Sequence, residues 1–343
     1  MAELERLFEL EVSRVASALG WNHAVRLKLA LPRNERTTAP SVIRQHLCSF
    51  GCPTGDTLDV LLDPQSLAVP GFVSGILVRL PTLVWLFGTV FRRAPADREY
   101  LCALGDGSLQ DIIAFSAVHP DACRVPDCMF FVTGGYREYK ALIASNYPAW
   151  EARAATVFWR GSSSGLKRYW PPSGPEDVTW LPRVEFCATA RASRCAERLD
   201  VGIVRWVQIP DHDVSLSLLS PSLLREAVPR EAFAQFKAVI DIDGNSNAWT
   251  GLFLSLLGGS CVVKIASEHG FSQWYYDRLL PWVHYVPVQS DLSDLEAAID
   301  WIFTNDRQAR EIGEAGRAFA NGLDFHAELS TAGDRLIAWR PNC

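Results

Sequence analysis

The sequence has no broad excess of basic residues, no CxxC pair and no dinucleotide-gripping glycine fingerprint, and each absence removes a class of function. Lysine and arginine number 33 against 39 aspartates and glutamates, a formal charge of −6. Binding nucleic acid needs a wide basic face, so nucleic acid is excluded as the main partner; a small anion held by a few local cations is not. The nine cysteines are dispersed. The closest two, Cys48 and Cys52 in CSFGC, have no histidine or cysteine cluster nearby to complete a zinc site. Scattered, unpaired thiols fit a reducing compartment. No Gly-x-Gly-x-x-Gly follows any predicted strand, which speaks against an NAD-linked oxidoreductase. The N-terminal MAELERLFELEVSRVASALG lacks the long apolar core of a secretory signal and reads as an amphipathic helix, and the final RPNC forms no retention signal. A cytoplasmic protein is expected.

What is present is an ordinary globular composition, 48% hydrophobic and 21% charged, in 343 residues, enough for two domains. One segment stands apart. Residues 68–91, AVPGFVSGILVRLPTLVWLFGTVF, are almost wholly apolar and are followed by Arg92 and Arg93. Pro70, Arg79 and Pro81 interrupt the run, and a mid-membrane arginine is costly. The expectation is a buried helix and strand of the first domain; the competing reading is a surface resting on a membrane interface.

The first part of the chain reads as irregular to about residue 95. Beyond it, REYLCALGDG (98–107) and CMFFVTGG (128–135) read as strands, SLQDIIAFSAV between them as a short helix or a second strand, and YREYKALIASNYPAWEAR (136–153) as helical at its start. ATVFWRGSSSG (155–165) is a strand running into a small polar loop, and the helix-like VEFCATARASRCAER lies beyond a proline-rich stretch. From residue 200 strands and helices alternate. DVGIVRWVQ, AVIDIDG, SCVVKIAS and HYVPV are strands; NAWTGLFLSLLGG, GFSQWYYDRLLP, DLSDLEAAIDWIFTND and NDRQAREIGEAGRAFANGL are helices. This alternation predicts βαβ units and a parallel sheet. The texture changes near 153, which predicts domains at 1–153 and 154–322 with a tail at 323–343.

The chemistry centres on AVIDIDGNSNAWTGLF (238–253). Asp241 and Asp243 lie two apart on a strand and so on one face, where they form either a divalent-metal pair for a nucleotide diphosphate or a half-buried hydrogen-bonding pair. Gly244, Asn245, Ser246 and Asn247 then suit a loop capping a helix from near Ala248, whose free N–H groups make an anion site. Trp159-Arg160-Gly161-Ser162 ends another strand, with Lys167 and Arg168 close behind, and Lys264 sits on the strand after the helix. Cations and backbone donors gathered at the carboxyl ends of strands mark the ligand edge of an open α/β sheet. Trp159, Trp249, Trp274 and Tyr275 stack either on a base or sugar face or, the stronger expectation, in the core.

FKAVIDIDGNSNAWTGLF and KIASEHGFSQWYYDRLLPWVHYVPVQSDLSDLEAAIDWIFTNDRQAREIGEAGRAF, with LLPWVHYVPV…SDL as the most distinctive phrase, resemble the C-terminal half of glycosyltransferase family 90. The resemblance covers about residues 155–170 and 236–320. It implies an α/β, GT-B architecture of two Rossmann-like domains facing a cleft, the C-terminal one holding a UDP-sugar. It also implies inverting chemistry with no metal and no cofactor beyond the donor, so the metal reading of DIDG gives way to a strand and loop facing the diphosphate. Carried over, Ser162, Arg168, the 244–247 loop and Lys264 bind the nucleotide-sugar, Arg160 of the same phrase either joins them or braces the loop from behind, Glu268 and His269 lie near ribose or sugar hydroxyls, and Asp106 of ALGDG is the candidate base. Animal members carry an arginine where this chain has Thr250, which leaves Lys264, Arg168 or the helix dipole to replace it. The implied reaction moves glucose or xylose from a UDP-sugar to a hydroxyl of a glycan acceptor such as lipopolysaccharide or another lipid-linked glycan. The enzyme would work at the inner face of the plasma membrane, with 68–91 resting against it. The rival expectations are a metal-dependent transferase using Asp241 and Asp243, and a non-catalytic nucleotide- or glycan-binding relative.

Overall fold

The computed structural model describes residues 6, 10, 24–29, 47–51, 57–63, 72–93, 99–166, 181–208 and 222–340. Lys167 and Arg168 lie outside the described residues, as does the N-terminal helix apart from Arg6 and Leu10. The chain divides into two compact units: residues 1–135, 272–274 and 324–343 form the first, and 136–271 with 275–323 form the second. The expected boundary at 153/154 thus falls inside the second unit, and residues 324–343 of the expected tail belong to the first.

In the first unit, β1 (Ala24–Leu29), β2 (Leu47–Gly51), β3 (Thr57–Leu62) and β4 (Tyr100–Ala103) make a sheet of order β1-β3-β2-β4. Only β1 and β3 run parallel; β2 is antiparallel to both β3 and β4. This mixed sheet corrects the expectation of a Rossmann-like N-terminal domain, and its first three strands occupy the region read as irregular. Helix α1 (Phe72–Arg93) precedes β4 and replaces the expected helix and strand. It runs through Pro81, which lacks the N–H for one intrahelical bond. Packing holds it: Ile76, Leu80, Phe87 and Val90 are buried, and Phe87 stacks on Phe50 of β2 at 4.5 Å. The core therefore takes up much of the apolar run at 72–91. Among the described residues no helix is long and apolar enough to cross a membrane.

SLQDIIAFSAV holds only the two-residue β5 (Ser116–Ala117) and isolated bridges. CMFFVTGG, expected as a strand, is instead the short helix α2 (Cys128–Val132). Asp127 decides this, its carboxylate accepting from the amides of Met129 (2.9 Å) and Phe130 (3.0 Å), while Gly134 and Gly135 with φ of 59° and 77° end the turn.

The second unit contains α3 (Arg137–Ser145), β6 (Ala154–Ser162), α4 (Pro182–Ala192), β7 (Leu199–Arg205), β8 (Phe236–Asp241), α5 (Thr250–Leu257) and β9 (Cys261–Ile265). The next stretch departs from the expected helix at 270–281. Its Ser272 and Gln273 form β10, antiparallel to β5 within the first unit, and only Tyr276–Arg278 make a 3₁₀ turn. Strand pairing and burial of Phe271, Trp274 and Tyr275 override the helical pattern. β11 (Val286–Val288), α6 (Leu295–Thr304) and α7 (Asp306–Gly322) complete the second unit, and α8 (Phe325–Ala338) returns to the first. The five strands β11-β9-β8-β6-β7 are all parallel, as the alternation of strands and helices predicts. Val157, Ile240, Val263, Val286 and Ile299 lie in its core.

Candidate functional site

The strand order decides where a ligand edge lies. From β6 the chain goes to β7 on one side and then crosses to β8 on the other, so the sheet reverses direction between β6 and β8. At such a switch point the loops after adjacent strands diverge and leave a crevice at the carboxyl ends. Two hollows occupy this edge of the second unit. The smaller, about 260 Å³, lies between the ends of β6 and β8 and is lined by Trp159, Gly161, Arg183, Arg230, Asp241 and Gly251 among others. The larger, about 490 Å³, is lined by Glu185, Asp243, Gly244, Glu268, His269 and Ser290 among others.

Arg183, a residue the sequence reading did not select, organises the loops. From the first turn of α4 its Nε donates to the Asp243 carbonyl (3.0 Å), Nη2 to the Ile242 carbonyl (3.1 Å) and Nη1 to Ser164 Oγ (2.9 Å). Burial, opposed by the Asp243 and Asp241 charges, pulls its pKa down to about 10, which leaves it cationic at neutral pH. A Cβ at Gly244 would meet Arg183 Nη2 at 3.1 Å, so the loop needs glycine or a displaced guanidinium there. Gln208 ties the same loops from the other side, donating to Asn245 Oδ1 and accepting from the Gly165 amide, each at 2.8 Å. The sequence signal for Arg183 is the Pro-Arg pair opening a helix; Gln208 carries none.

The expected site residues divide. Ser162, at the end of β6, is 3.0 Å from Ser164 through their hydroxyls. Arg160 is turned to β7, where it pairs with Asp200 Oδ1 at 2.7 Å and donates to its carbonyl, so it braces the loop from behind. Lys264 donates to Asp241 Oδ2 at 2.8 Å in a buried pair, and its ammonium lies 4.7 Å from the Tyr276 ring centroid. Asp243 lines the larger hollow; burial pushes its pKa up to about 6, against the pull of Lys264 and of bonds to Ser267 and Asn247. Asn247 also donates to the Phe271 carbonyl at 2.9 Å, holding the loop down. Helix α5 begins at Thr250, past the expected Ala248. Before it Trp249 adopts φ 44°, a strained conformation for a bulky residue, with its indole N–H on Ser246 Oγ at 3.1 Å. Thr250 Oγ1 accepts from the Tyr136 hydroxyl at 3.2 Å. Glu268 and His269 are exposed on the rim of the larger hollow. Trp159, Trp274 and Tyr275 are buried core residues.

Asp106 belongs to the first unit, on the bend after β4. Arg79 of α1 holds it, Nη2 donating to its Oδ1 at 2.6 Å and Nη1 to the Leu104 carbonyl at 2.7 Å. The arginine that interrupts the apolar run in sequence thus orients the candidate base. None of the described thiols is a nucleophile candidate: all seven are buried, and burial pushes Cys123, Cys128 and Cys187 up to about 12.

Residues 222–326 match the family model "Glycosyl transferase family 90". Among curated proteins the chain is similar to "Uncharacterized protein 035R" of Invertebrate iridescent virus 3, 34% identical over 176 residues, covering 50% of this chain and 15% of that protein. It is also similar to "Protein O-glucosyltransferase 2" of Danio rerio, 34% identical over 173 residues, 50% of this chain and 30% of that protein. "Protein O-glucosyltransferase 3" of Homo sapiens is 34% identical over 91 residues, 26% of this chain and 17% of that protein. The chain spans less than a third of the length of these relatives. Among solved structures, Anabaena Alr3699/HepE in complex with UDP-glucose superposes with a TM-score of 0.35 at 12% identity, over 59% of this chain and 53% of that one. The segment that carries β8, α5, β9 and most of the loops of both hollows is thus the segment that matches the glycosyl transferase family 90 model.

Proposed function

We propose that this chain is an inverting glycosyltransferase of GT-B type that moves glucose or xylose from a UDP-sugar to a hydroxyl of a glycan acceptor such as lipopolysaccharide, without a metal ion. The observation that carries the reading is that the family segment, 222–326, supplies one wall of the switch-point crevice: Arg230, Asp241, the 243–247 loop and Glu268. The names of the relatives support glucose as the sugar. A lipid-linked acceptor would place the work at the cytoplasmic face of a membrane.

The reaction needs a base, a bound donor and relief of charge on the leaving group. Asp106, oriented by Arg79, takes the proton from the acceptor hydroxyl as that oxygen attacks the anomeric carbon. The bond from that carbon to the diphosphate breaks with inversion, and UDP leaves with its electron pair. Ser162, the 244–247 loop amides and the positive charge of Arg183 stabilise the departing charge, and Arg183 is fixed there by its bonds to the Asp243 carbonyl and Ser164. The Lys264 ammonium against Asp241 supports the metal-free reading, because a protein cation already neutralises one carboxylate of the DIDG pair.

The test is turnover of a panel of UDP-sugars with EDTA present, by wild type and Asp106→Asn. One UDP-sugar is expected to be consumed in EDTA, with a fall of about 10²- to 10⁴-fold in the variant. Activity abolished by EDTA would return Asp241 and Asp243 to metal binding. UDP binding without turnover would make the chain a non-catalytic relative.

A further inference from the structure

The smaller hollow contains a cation whose hydrogen-bonding capacity the fold leaves unused. Arg230 lies on the 3₁₀ turn Arg230–Gln235 that leads into β8. Among the described residues its guanidinium makes no hydrogen bond and no ion pair. Its described neighbours are the Phe233 ring, 4.4 Å from centroid to Cζ, and Gly251 of α5, where an added Cβ would stand 2.9 Å from Nη2. Asp241 is the nearby negative charge, and its Oδ2 already accepts from Lys264 at 2.8 Å. The guanidinium's N–H donors are therefore left without a protein acceptor beside a hollow whose one carboxylate, Asp241, is paired with Lys264.

Arg183 lines the same hollow from α4. Three of its nitrogens are committed to the loops, which fixes the plane of its guanidinium. The two arginines repel, and each has its pKa lowered, first by burial; Arg230 adds to the fall at Arg183. An anion between them would relieve both the repulsion and the unmet donors. A neutral base or sugar would relieve neither. Arg160, on the third side, is already neutralised by Asp200. The small residues Ala248 and Gly251 leave the guanidinium its space.

We propose that Arg230 is the charge-reading residue of the donor site: it binds the diphosphate of the nucleotide in the hollow between β6 and β8, opposite Arg183, and so separates nucleoside diphosphates from nucleosides. The inference rests on the glycosyltransferase reading for the identity of the ligand, and on the hollow and its two arginines for the chemistry. Its ligand class is a diphosphate, free or carried by a nucleoside.

The experiment is calorimetric titration of wild type, Arg230→Gln and Arg230→Lys with UDP, uridine and pyrophosphate. Arg230→Gln should weaken UDP and pyrophosphate by about 10- to 100-fold and leave uridine unchanged, because a charged hydrogen-bond partner is lost from the diphosphate alone. Arg230→Lys should fall between. If UDP binds wild type and the UDP-to-uridine ratio is unchanged in Arg230→Gln, the assignment is wrong while the glycosyltransferase reading stands. If pyrophosphate binds in an Arg230-dependent way but UDP does not, the anion site stands and the glycosyltransferase reading falls. Binding of neither ends both. Should Arg230→Gln fail to fold, phenylglyoxal modification of wild type decides: pyrophosphate should shield Arg230 in the peptide map, and an unshielded Arg230 overturns the proposal.

Discussion

The two sheets each hold an acid–base pair of similar length at the end of a strand, and the pairs do different work. In the mixed sheet Arg79 and Asp106 are 2.6 Å apart, and the aspartate side chain keeps 36% of its exposure. In the parallel sheet Lys264 and Asp241 are 2.8 Å apart, and the aspartate keeps 1%. Depth separates them. A carboxylate in contact with solvent remains open to a substrate proton, and its ion pair contributes little stability. A carboxylate withdrawn from water depends on its partner, because losing that partner strands a charge in a poor solvent. The parallel sheet therefore uses its pair as structure beneath the crevice, while the mixed sheet holds its pair at a bend as candidate machinery.

Three substitutions test this contrast. Asp106→Asn should lower UDP-sugar turnover by about 10²- to 10⁴-fold. Its chemical denaturation midpoint should barely move, since the aspartate side chain keeps 36% of its exposure; a variant that unfolds instead would make Asp106 structural. Lys264→Met should do the reverse to stability, costing about 3–5 kcal/mol in denaturant titration, because Asp241 is left buried and unpaired. Adding Asp241→Leu to it should recover most of that loss, and no recovery would mean that packing rather than charge is responsible.

Asp243 gives a smaller, pH-dependent effect. Burial raises its folded pKa to about 6 from the ordinary aspartate value of 3.8, so the folded state favours the protonated form. Its contribution is fully present below about pH 4 and is lost as pH rises through 6. Asp243→Asn should remove this slope and stabilise the protein near pH 7 by roughly 2–3 kcal/mol. Thermal melts between pH 4 and 7 that stay parallel for the two proteins would refute it. Smallest is Gly161→Ala, where a Cβ would stand 2.5 Å from the buried Trp159 ring. A cost of about 1–3 kcal/mol is expected from overpacking beneath the smaller hollow, again read from denaturant titration.

The second unit was far more legible in sequence than the first. Its strands carry β-branched runs bounded by glycine and its helices have clear ends, so β8, α5, β9, β11, α6 and α7 fall where the pattern puts them. In the first unit CMFF misled, since a short apolar run that reads as a strand also fits a buried turn; the Asp127 cap makes it a helix. GFSQWYYD misled in the other direction, because a pairing partner distant in sequence, Ser116–Ala117, captures it. Among site residues, Ser162, Asp241, Asp243 and the 244–247 loop were visible because a strand end followed by small polar residues advertises a ligand edge. Arg183 and Arg230 were not. Each follows a proline, which marks the start of a helix or 3₁₀ turn but not its destination; packing brings it to the crevice.

By itself the sequence determined the alternation of strands and helices that makes a parallel sheet, and the family segment within it, because both rest on local periodicity and local composition. Only the tertiary structure decided which cations serve the crevice. A side chain's destination depends on strand order and on what its neighbours have already claimed: Arg160 is taken by Asp200 and Lys264 by Asp241, while Arg183 and Arg230 face the hollow.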